Sequence, residues 1–391
     1  MDEQPKGTIL SGYRILDLTD EKGMFCARLL ADMGAEVIRV ERPGERAVGS
    51  NAEFCYLNAG KKSISLNLEN KAGQEIFWRL VGTAQVLVET EAPGYLASLG
   101  LGYPQLDEIN SGLVVASITD FGQSGPYRDY KSCDMAVAAL GGWLYVGGEP
   151  GLTPLKPYGN QAYAAASLMA ANGILLALWH RQATGRGQYL DISVMECVAA
   201  TLDHVLVRYF YEGAVAGRQG SRHWNNAFRI FPCRDGYILL TLLQHWETLV
   251  EWLESEGMDG DLSDSKWRDR ETRLAGIDHI ISVLERWTLS HTVAELVEKG
   301  QLMRFPWAEV TQAAGLESSP QMAARNYFTE VVCPETGRRY RCPGVPVKMS
   351  RSPWQSGGNV PEPGESNPDV YRREMGLSEK EMEALAAEGV I

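Results

Sequence analysis

The amino-acid sequence predicts an α/β protein, with a mostly parallel, doubly wound sheet in a large domain and a smaller α+β domain after it. Three observations support this prediction. Short apolar runs alternate with helical patterns through the first half of the chain. A long alanine-rich segment follows, and near Gly213–Asn226 the chain becomes rich in glycine, arginine and polar residues. Strands that alternate with helices are typical of βαβ units and a parallel sheet.

Short runs rich in valine, isoleucine and leucine predict the strands of this sheet. Strands that are covered by helices on both faces are apolar almost throughout, and these runs have that character. The predicted strands are Tyr13–Leu18, Glu36–Val40, Ser63–Leu68, Ala84–Glu89, Leu113–Ile118 and Tyr189–Val194.

Helical patterns separate these runs. Met24–Met33 is predicted to be a helix that ends at Gly34, because glycine is favoured just beyond a helix C-terminus. Lys71–Leu80 is predicted as a second helix. Ala162–His180 is too uniformly apolar for a surface helix, so we expect it to be buried. Met195–Tyr211 is predicted as one further long helix.

The second half of the chain has mixed patterns. Ile230–Leu243 predicts a β-hairpin with Asp235 and Gly236 at its turn. Helical patterns follow at Trp246–Glu256, Arg273–Leu289 and Val293–Lys299. The predicted boundaries are residues 1–212 for the first part of the large domain, 213–325 for the small domain with its linkers, and 326–391 for the return to the large domain.

The end of the chain predicts a closing helix, Ser378–Glu388. Ser378 and Glu381 have the spacing of a capping box, in which each side chain bonds the backbone N–H of the other residue. The Pro- and Gly-rich tract from Cys342 to Pro368 leads to this helix.

Composition limits the classes of partner and compartment. A net charge of −13 argues against DNA or RNA, because phosphate binding needs clustered lysines and arginines. Seven scattered cysteines without a C-x-x-C pair argue against a disulfide framework or a zinc site. The first residues lack the features of a secretory signal, and no run reaches the ~20 apolar residues of a membrane span. We therefore expect a cytoplasmic protein that holds no metal and contacts no membrane.

Ordered blocks along the chain carry a family resemblance. They read RILDLT, LLADMGAEVIRVERPG, NAGKKSISLNLENKAG, VLVETEAPGYLASLGLGY, VVASITDFGQSGPY, GILLAL and ATGRGQYLDISVMECV. In this order and spacing they resemble the family III CoA-transferases, which include formyl-CoA transferase, carnitine CoA-transferases and the related α-methylacyl-CoA racemases. The likeness covers nearly all of residues 10–200, resumes at FPCRDGYILL and returns in the closing helix.

The resemblance implies more than the patterns do. It implies a Rossmann-like large domain built from both ends of the chain and a small domain inserted through long linkers. It also implies that two subunits interlock like links of a chain in a ring-like dimer. CoA or acyl-CoA would be a substrate of this assembly, and no cofactor would be bound permanently.

The chemistry of the family depends on one carboxylate. It attacks the donor thioester, forms a mixed anhydride and is then converted by CoA thiolate into an enzyme thioester. The resemblance places this aspartate ten residues before the glycine of the G-I-L-x-A-L block, here Gly173, and the residue at that position is Tyr163. A phenol of pKa near ~10 is a poor acyl carrier for this exchange. No Asp or Glu lies between Pro150 and Asp191, so we predict that the chain lacks the usual nucleophile.

The resemblance also assigns candidate CoA contacts, some of which have changed. The loop that touches CoA is Asn-Phe-x-Pro-Gly in the family and begins with Thr90 here. A family arginine on the next helix is matched by Ser98, and a phosphate-binding lysine is matched by Glu69. A nucleotide loses about 1.5–3 kcal/mol with each charged hydrogen bond that is removed.

Other contact positions are kept. The resemblance places Arg42 and Leu66 beside the adenine and Lys131 near the CoA chain. Asp134 matches an acidic position that follows a catalytic histidine in the racemases, and that histidine is Cys133 here. Several roles stay open: Arg42 and Lys131 are either nucleotide ligands or solvated surface cations. Cys133 is either a nucleophile or inert, and Tyr163 either an acid or a space-filling residue.

Three functions follow from this combination of residues. The first is the subunit of a two-gene CoA-transferase that lacks the nucleophile and works with a homologous catalytic subunit, similar to one partner of benzylsuccinate CoA-transferase. It would move CoA from a donor such as succinyl-CoA to a carboxylic acid, and the chain alone would be inactive. The second is a self-sufficient acyl-CoA transferase, isomerase or racemase-like enzyme with a different catalytic group. The third is a regulatory or scaffold protein that binds no CoA.

Overall fold

The computed structural model describes residues 7–44, 52–223, 228–333 and 336–391. A six-stranded sheet forms its centre, and its strands are β1 (Arg14–Leu18), β2 (Glu36–Glu41), β3 (Lys62–Ser65), β4 (Val86–Glu89), β5 (Val114–Thr119) and β6 (Tyr189–Ser193). The order across the sheet is β3-β2-β1-β4-β5-β6, and every neighbouring pair is parallel. The predicted parallel, Rossmann-like sheet is therefore confirmed. Its strand order reverses between β1 and β4, where such sheets leave a crevice at the carboxyl ends of the strands.

Alternate residues of each strand enter two separate cores. Ile15 and Val88 face one core, whereas their neighbours Leu16 and Leu87 face the other. This follows from the period of two residues in a strand. Because helices cover both faces, the strands need apolar residues at successive positions, and this explains why the apolar runs predicted them well.

Ten helices are described in this part of the chain. They are α1 (Met24–Asp32), α2 (Ala52–Asn58), α3 (Lys71–Thr83), α4 (Tyr95–Ser98), α5 (Tyr103–Ile109), α6 (Asp134–Leu140), α7 (Trp143–Val146), α8 (Gln161–Thr184), α9 (Val194–Ala200) and α10 (Asp203–Glu212). The single helix predicted over Met195–Tyr211 was wrong, since α9 and α10 are separate. The break lies at Thr201, whose hydroxyl bonds Val198 O at 2.7 Å and accepts the Trp143 indole N–H at 2.6 Å.

Helix α8 is the longest helix and was expected to be buried. Its inner face is buried at Ala166, Ala170 and Ile174, but Leu176 is 63% exposed and Trp179 is 71% exposed. The expectation of complete burial is therefore wrong for this chain by itself. Among the described residues, α8 alone is long and apolar enough to cross a membrane, with half of its most apolar stretch buried.

Residues Tyr145–Leu155 and Ala216–Pro320 form a smaller compact unit, and the rest of the described chain forms a larger one. Segment 145–155, which the sequence analysis put in the large domain, thus groups with the smaller unit. The smaller unit contains β7 (Phe228–Pro232), β8 (Tyr237–Thr241), β9 (Ala308–Glu309), α11 (Trp246–Ser255), a 3-10 turn (Ser265–Arg268), α12 (Arg270–Ala275), α13 (Ile277–Thr288), α14 (Val293–Leu302) and α15 (Ala313–Glu317).

The strands β7 and β8 are antiparallel, as the predicted hairpin requires. Trp252, Trp287 and Trp307 pack in the core of this unit. Glu256 accepts hydrogen bonds from the indole N–H groups of Trp252 at 2.8 Å and Trp287 at 2.7 Å. Buried indole N–H groups need such partners, so Glu256 fixes the orientation of both rings.

The C-terminal segment returns to the larger unit at Gln321. It contains α16 (Pro320–Ala324), β10 (Phe328–Cys333), β11 (Arg338–Pro343), β12 (Gly358–Asn359), a π-helix (Pro368–Glu374) and α17 (Glu379–Ala387). The antiparallel pair of β10 and β11 was not predicted. The capping box of α17 is confirmed, with Ser378 and Glu381 bonded to each other's backbone.

Candidate functional site

A cavity of about 720 Å³ lies at the carboxyl ends of β1, β2 and β4 in the larger unit. This is the switch point of the sheet, where the strand order reverses and ligands of such folds bind. Its lining includes Thr19 and Asp20 after β1, Arg42 after β2, and Thr90 after β4. Asn160, the residue before α8, also lines it.

Three of the predicted CoA-contact residues meet in this cavity: Arg42, Leu66 and Thr90. Leu66 is 1% exposed and gives the cavity an apolar wall. The Thr90 hydroxyl accepts a hydrogen bond from Asp20 N at 2.8 Å, so it joins the loops that follow β4 and β1. The fold therefore brings these three residues together in one cavity.

Arg42 is held by two neighbouring side chains. Its Nη2 donates to the Tyr95 hydroxyl at 2.9 Å and lies 3.6 Å from Glu69 Oε1. Tyr95 in turn donates to Glu69 Oε1 at 3.1 Å. The guanidinium also lies over the Tyr95 ring, 5.9 Å from its centroid. Arg42 and Glu69 keep about half of their side-chain surface exposed, at 49% and 59%.

The cavity is acidic overall. Carboxylates at five lining positions surround two arginines: Asp20, Glu21, Glu41, Glu53 and Glu91 face Arg39 and Arg42. Arg39 Nε lies 3.1 Å from Glu41 Oε1, and Arg39 Nη1 donates to Thr19 O at 3.0 Å. Both arginines of the described lining are therefore already engaged by carboxylates of the chain itself.

A buried ion pair contacts the backbone of Met24, a residue of the cavity lining, and the sequence analysis missed it. Lys61 Nζ donates to Asp17 Oδ2 at 2.8 Å and to Asn58 Oδ1 at 3.0 Å, and neither charged side chain is exposed. Burial lowers the pKa of Lys61 to about 8, against the effect of Asp17. Burial raises the pKa of Asp17, but Lys61 and Arg39 outweigh it and the net direction is down. The sequence does not show which lysine is buried, because Lys61 and Lys62 are adjacent and identical in type.

Tyr163 lies in the first turn of α8 and is 4% exposed. Burial raises the pKa of its phenol well above the ordinary value, and the nearby carboxylates of Asp120, Glu21 and Asp20 raise it further. The phenol therefore stays protonated at neutral pH and is a poor nucleophile. The pKa of Asp120 is also raised, mainly by burial. Asp120 was not singled out from the sequence, because only the fold brings it toward α8.

Asp134 was a predicted CoA contact, and its carboxylate bonds the start of α8. Its Oδ1 accepts hydrogen bonds from Ala162 N at 2.9 Å and Tyr163 N at 3.1 Å. The first backbone N–H groups of a helix have no partner inside the helix, and a carboxylate there is favoured by the helix dipole. Asp134 thus fixes the turn that carries Tyr163.

Lys131 and Cys133 are exposed residues before α6. Within the described part of the chain, neither lines the cavity that holds Arg42 and Thr90. The predicted contacts therefore fall into two groups, one in the cavity and one at the start of α6, where Asp134 bonds the start of α8.

Glu89 at the end of β4 is a further buried carboxylate that the sequence analysis missed. It is 5% exposed, and burial raises its pKa to about 7. Its Oε2 accepts a hydrogen bond from Glu91 N at 2.7 Å, and the Ser117 hydroxyl also supports the ionised form. Glu89 thereby shapes the loop that carries Thr90 and Glu91. Over residues 7–44, 52–223, 228–333 and 336–391, no three His, Cys, Asp or Glu side chains form a metal site.

Comparisons with known proteins agree on one family. A sequence model of CoA-transferase family III matches residues 10–367. The chain is 34% identical to the succinyl-CoA:(R)-benzylsuccinate CoA-transferase subunit BbsE of Thauera aromatica, over 93% of this chain and 94% of that protein. It is 30% identical to the succinyl-CoA–L-malate CoA-transferase beta subunit of Chloroflexus aurantiacus, over 98% of each. The crystal structure of a CAIB/BAIF family protein from Brucella suis aligns with a TM-score of 0.86 at 25% identity, covering 94% of this chain and 99% of that one.

Proposed function

This chain belongs to CoA-transferase family III, and we propose that it is the subunit of a hetero-oligomeric CoA-transferase that lacks the acyl-accepting carboxylate. Tyr163 carries this proposal, because it stands where the family resemblance expects the nucleophilic aspartate. A buried, protonated phenol cannot form the mixed anhydride through which CoA moves between two acids. The chain alone is therefore inactive.

The homologous partner supplies the missing group. Its carboxylate attacks the thioester of the donor, so that a mixed anhydride forms and CoA leaves as a thiolate. The thiolate then attacks the carbonyl of the enzyme carboxyl group, which gives an enzyme thioester and frees the donor acid. The acceptor acid repeats both steps in reverse order and leaves as its CoA thioester, which restores the carboxylate.

The names of relatives support a two-subunit enzyme. One relative is a subunit of a benzylsuccinate CoA-transferase, and others are the beta and alpha subunits of a malate CoA-transferase. All three relatives use succinyl-CoA by name, so succinyl-CoA is the donor to test first. The acceptor is a carboxylic acid, and no permanently bound cofactor is needed.

Exposed apolar surface on the larger unit supports a partner subunit. The outer stripe of α8 contains Leu168, Met169, Leu176 and Trp179, each between 45% and 71% exposed. On α10, Phe210 is 80% exposed and Tyr211 is 90% exposed. Apolar surface of this kind is usually covered by another protein. We propose a ring-like, interlocked assembly in the cytoplasm that needs neither nucleic acid nor membrane.

The alternative of a self-sufficient acid/base enzyme has less support. The Asp134 carboxylate is engaged by the start of α8, and Cys133 is exposed. The remaining acid/base candidate is Tyr163 with Asp120 near it, and the raised pKa of the phenol limits it to donating a hydrogen bond.

Co-expression tests the proposed function. The purified chain should transfer no CoA from succinyl-CoA to benzylsuccinate or malate, and co-expression with a homologue that carries Asp at the start of its long helix should give activity. Tyr163→Phe in this chain should leave the activity of the complex nearly unchanged, because the phenol takes no part in the chemistry. Transfer by the purified chain at a rate similar to that of the complex would exclude the proposal.

A further inference from the structure

Glu69 bridges two side chains that line the cavity, Arg42 and Tyr95. Its Oε1 accepts the Tyr95 hydroxyl at 3.1 Å and lies 3.6 Å from Arg42 Nη2. Arg42 and Tyr95 both line the cavity, and they also bond each other at 2.9 Å. The three side chains come from the ends of β2 and from the segments after β3 and β4, so the contact joins three separate parts of the chain.

This contact uses the donors that a phosphate would need. A guanidinium and a phenol are both suited to phosphate oxygens, and a carboxylate presents the same kind of charged acceptor. The second arginine of the described lining, Arg39, is likewise held by Glu41. Both arginines of the described lining are therefore paired with carboxylates of the chain itself before a ligand binds.

We propose that Glu69 is a specificity-determining residue that engages Arg42 and Tyr95 as an internal anion, and so weakens the binding of CoA to this subunit. The proposal rests on the proposed function, in which CoA transfer takes place on the homologous catalytic subunit. A phosphate group must displace Glu69 from Arg42 and also approach its negative charge. Free CoA is then left to the homologous catalytic subunit.

The size of the effect follows from exposure. Arg42 and Glu69 are about half exposed, and an ion pair of that kind contributes about 0–1 kcal/mol. Loss of Glu69 should therefore raise affinity for CoA by about fivefold, the factor that corresponds to about 1 kcal/mol. The gain should decrease as salt is added, because salt screens exposed charges.

Isothermal titration calorimetry with CoA and with adenosine 3′,5′-bisphosphate tests the proposal on the full chain. Glu69→Gln should bind both ligands about fivefold more tightly than the native chain. Glu53→Gln is the matched control, since Glu53 also lines the cavity and the substitution removes the same charge. The increase in affinity of Glu69→Gln should exceed that of the control. It should be absent when Glu69→Gln is combined with Arg42→Gln in one chain.

Three results would overturn the proposal: equal gains in Glu69→Gln and Glu53→Gln, a gain that persists without Arg42, or no binding of either ligand by any variant. None of these results contradicts the proposed function, because that function is tested by the transferase activity of the purified chain. Conversely, activity of that chain would exclude the proposed function and leave the measured role of Glu69 in place.

Discussion

At the residue scale, two buried carboxylates of the sheet are stabilised in different ways. Asp17 is paired with Lys61, whereas Glu89 is held by hydrogen bonds from the Glu91 amide and the Ser117 hydroxyl. The pKa of Asp17 is lowered, and that of Glu89 is raised to about 7. The two residues therefore make opposite contributions to stability as pH changes.

Lys61→Met should destabilise the fold by about 3–5 kcal/mol, because it leaves the Asp17 carboxylate buried without its cation. Lys62→Met is the control, since the Lys62 side chain is 40% exposed and its pair with Glu36 should contribute about 0–1 kcal/mol. Urea unfolding measures both free energies. Equal losses in the two variants would contradict the importance of the buried pair.

Glu89 should make stability fall as pH rises. Its folded pKa of about 7 lies above the ordinary 4.5, so the folded chain binds this proton more tightly than the unfolded chain. The free energy of unfolding therefore begins to fall above pH 4.5, and the fall is complete above pH 7. Its size is about 1.4 kcal/mol for each unit of difference between the folded and unfolded pKa. Glu89→Gln should flatten the dependence of the unfolding free energy between about pH 5 and pH 8. If the unfolding free energy of the variant depends on pH as steeply as that of the native chain, Glu89 is not the cause of the dependence.

An unusual residue at a recognisable position could be found from the sequence, whereas the contacts between residues far apart in the chain could not. The tyrosine at position 163 was visible because it interrupts a recognisable block. The contacts of Lys61 with Asp17 and of Arg42 with Glu69 join residues that lie 44 and 27 positions apart in the chain. No local pattern encodes such contacts, because they depend on which strands become neighbours.

At the scale of elements, the sheet was predictable and the exposed elements were not. Strands β1 to β6 are apolar runs, and their burial on two faces demands that composition. Strand β11 carries Arg338, Arg339 and Arg341 and is partly exposed, so it has no apolar run to predict it. Helix α2 is only seven residues long, which gives little room for a helical period.

The start of α8 depends on Asp134. Asp134→Ala removes the acceptor for Ala162 N and Tyr163 N, and a lost helix cap costs about 0.5–2 kcal/mol. Asp129→Ala is the control, because the Asp129 side chain is 81% exposed. Thermal and urea unfolding compare the two variants. If Asp134→Ala is no less stable than Asp129→Ala, the cap has no energetic importance.

At the scale of the whole molecule, α8 has a buried face and an outer apolar stripe that its own chain leaves exposed. Its buried side was predictable from its alanines, but its outer apolar stripe was not distinguishable from core by sequence. A long helix that is apolar on all sides has the same composition whether its outer face is covered by its own chain or by another chain.

Charge on this stripe should prevent assembly with the proposed partner subunit. The double substitution Leu176→Glu with Trp179→Glu places two charges on residues that are 63% and 71% exposed, so the chain itself should stay folded. Native mass spectrometry after co-expression should detect the complex with the native chain and with the control Gln105→Glu, which lies on an exposed part of α5. An intact complex with the double variant would contradict the proposed surface.

In the proposed enzyme, this chain never carries the acyl or CoA group itself. Incubation of the co-expressed complex with succinyl-CoA, followed by denaturation and intact-mass measurement of each subunit, tests it directly. We expect a CoA thioester on the proposed partner subunit and an unmodified mass for this chain. A CoA thioester on an aspartate or glutamate of this chain would contradict it.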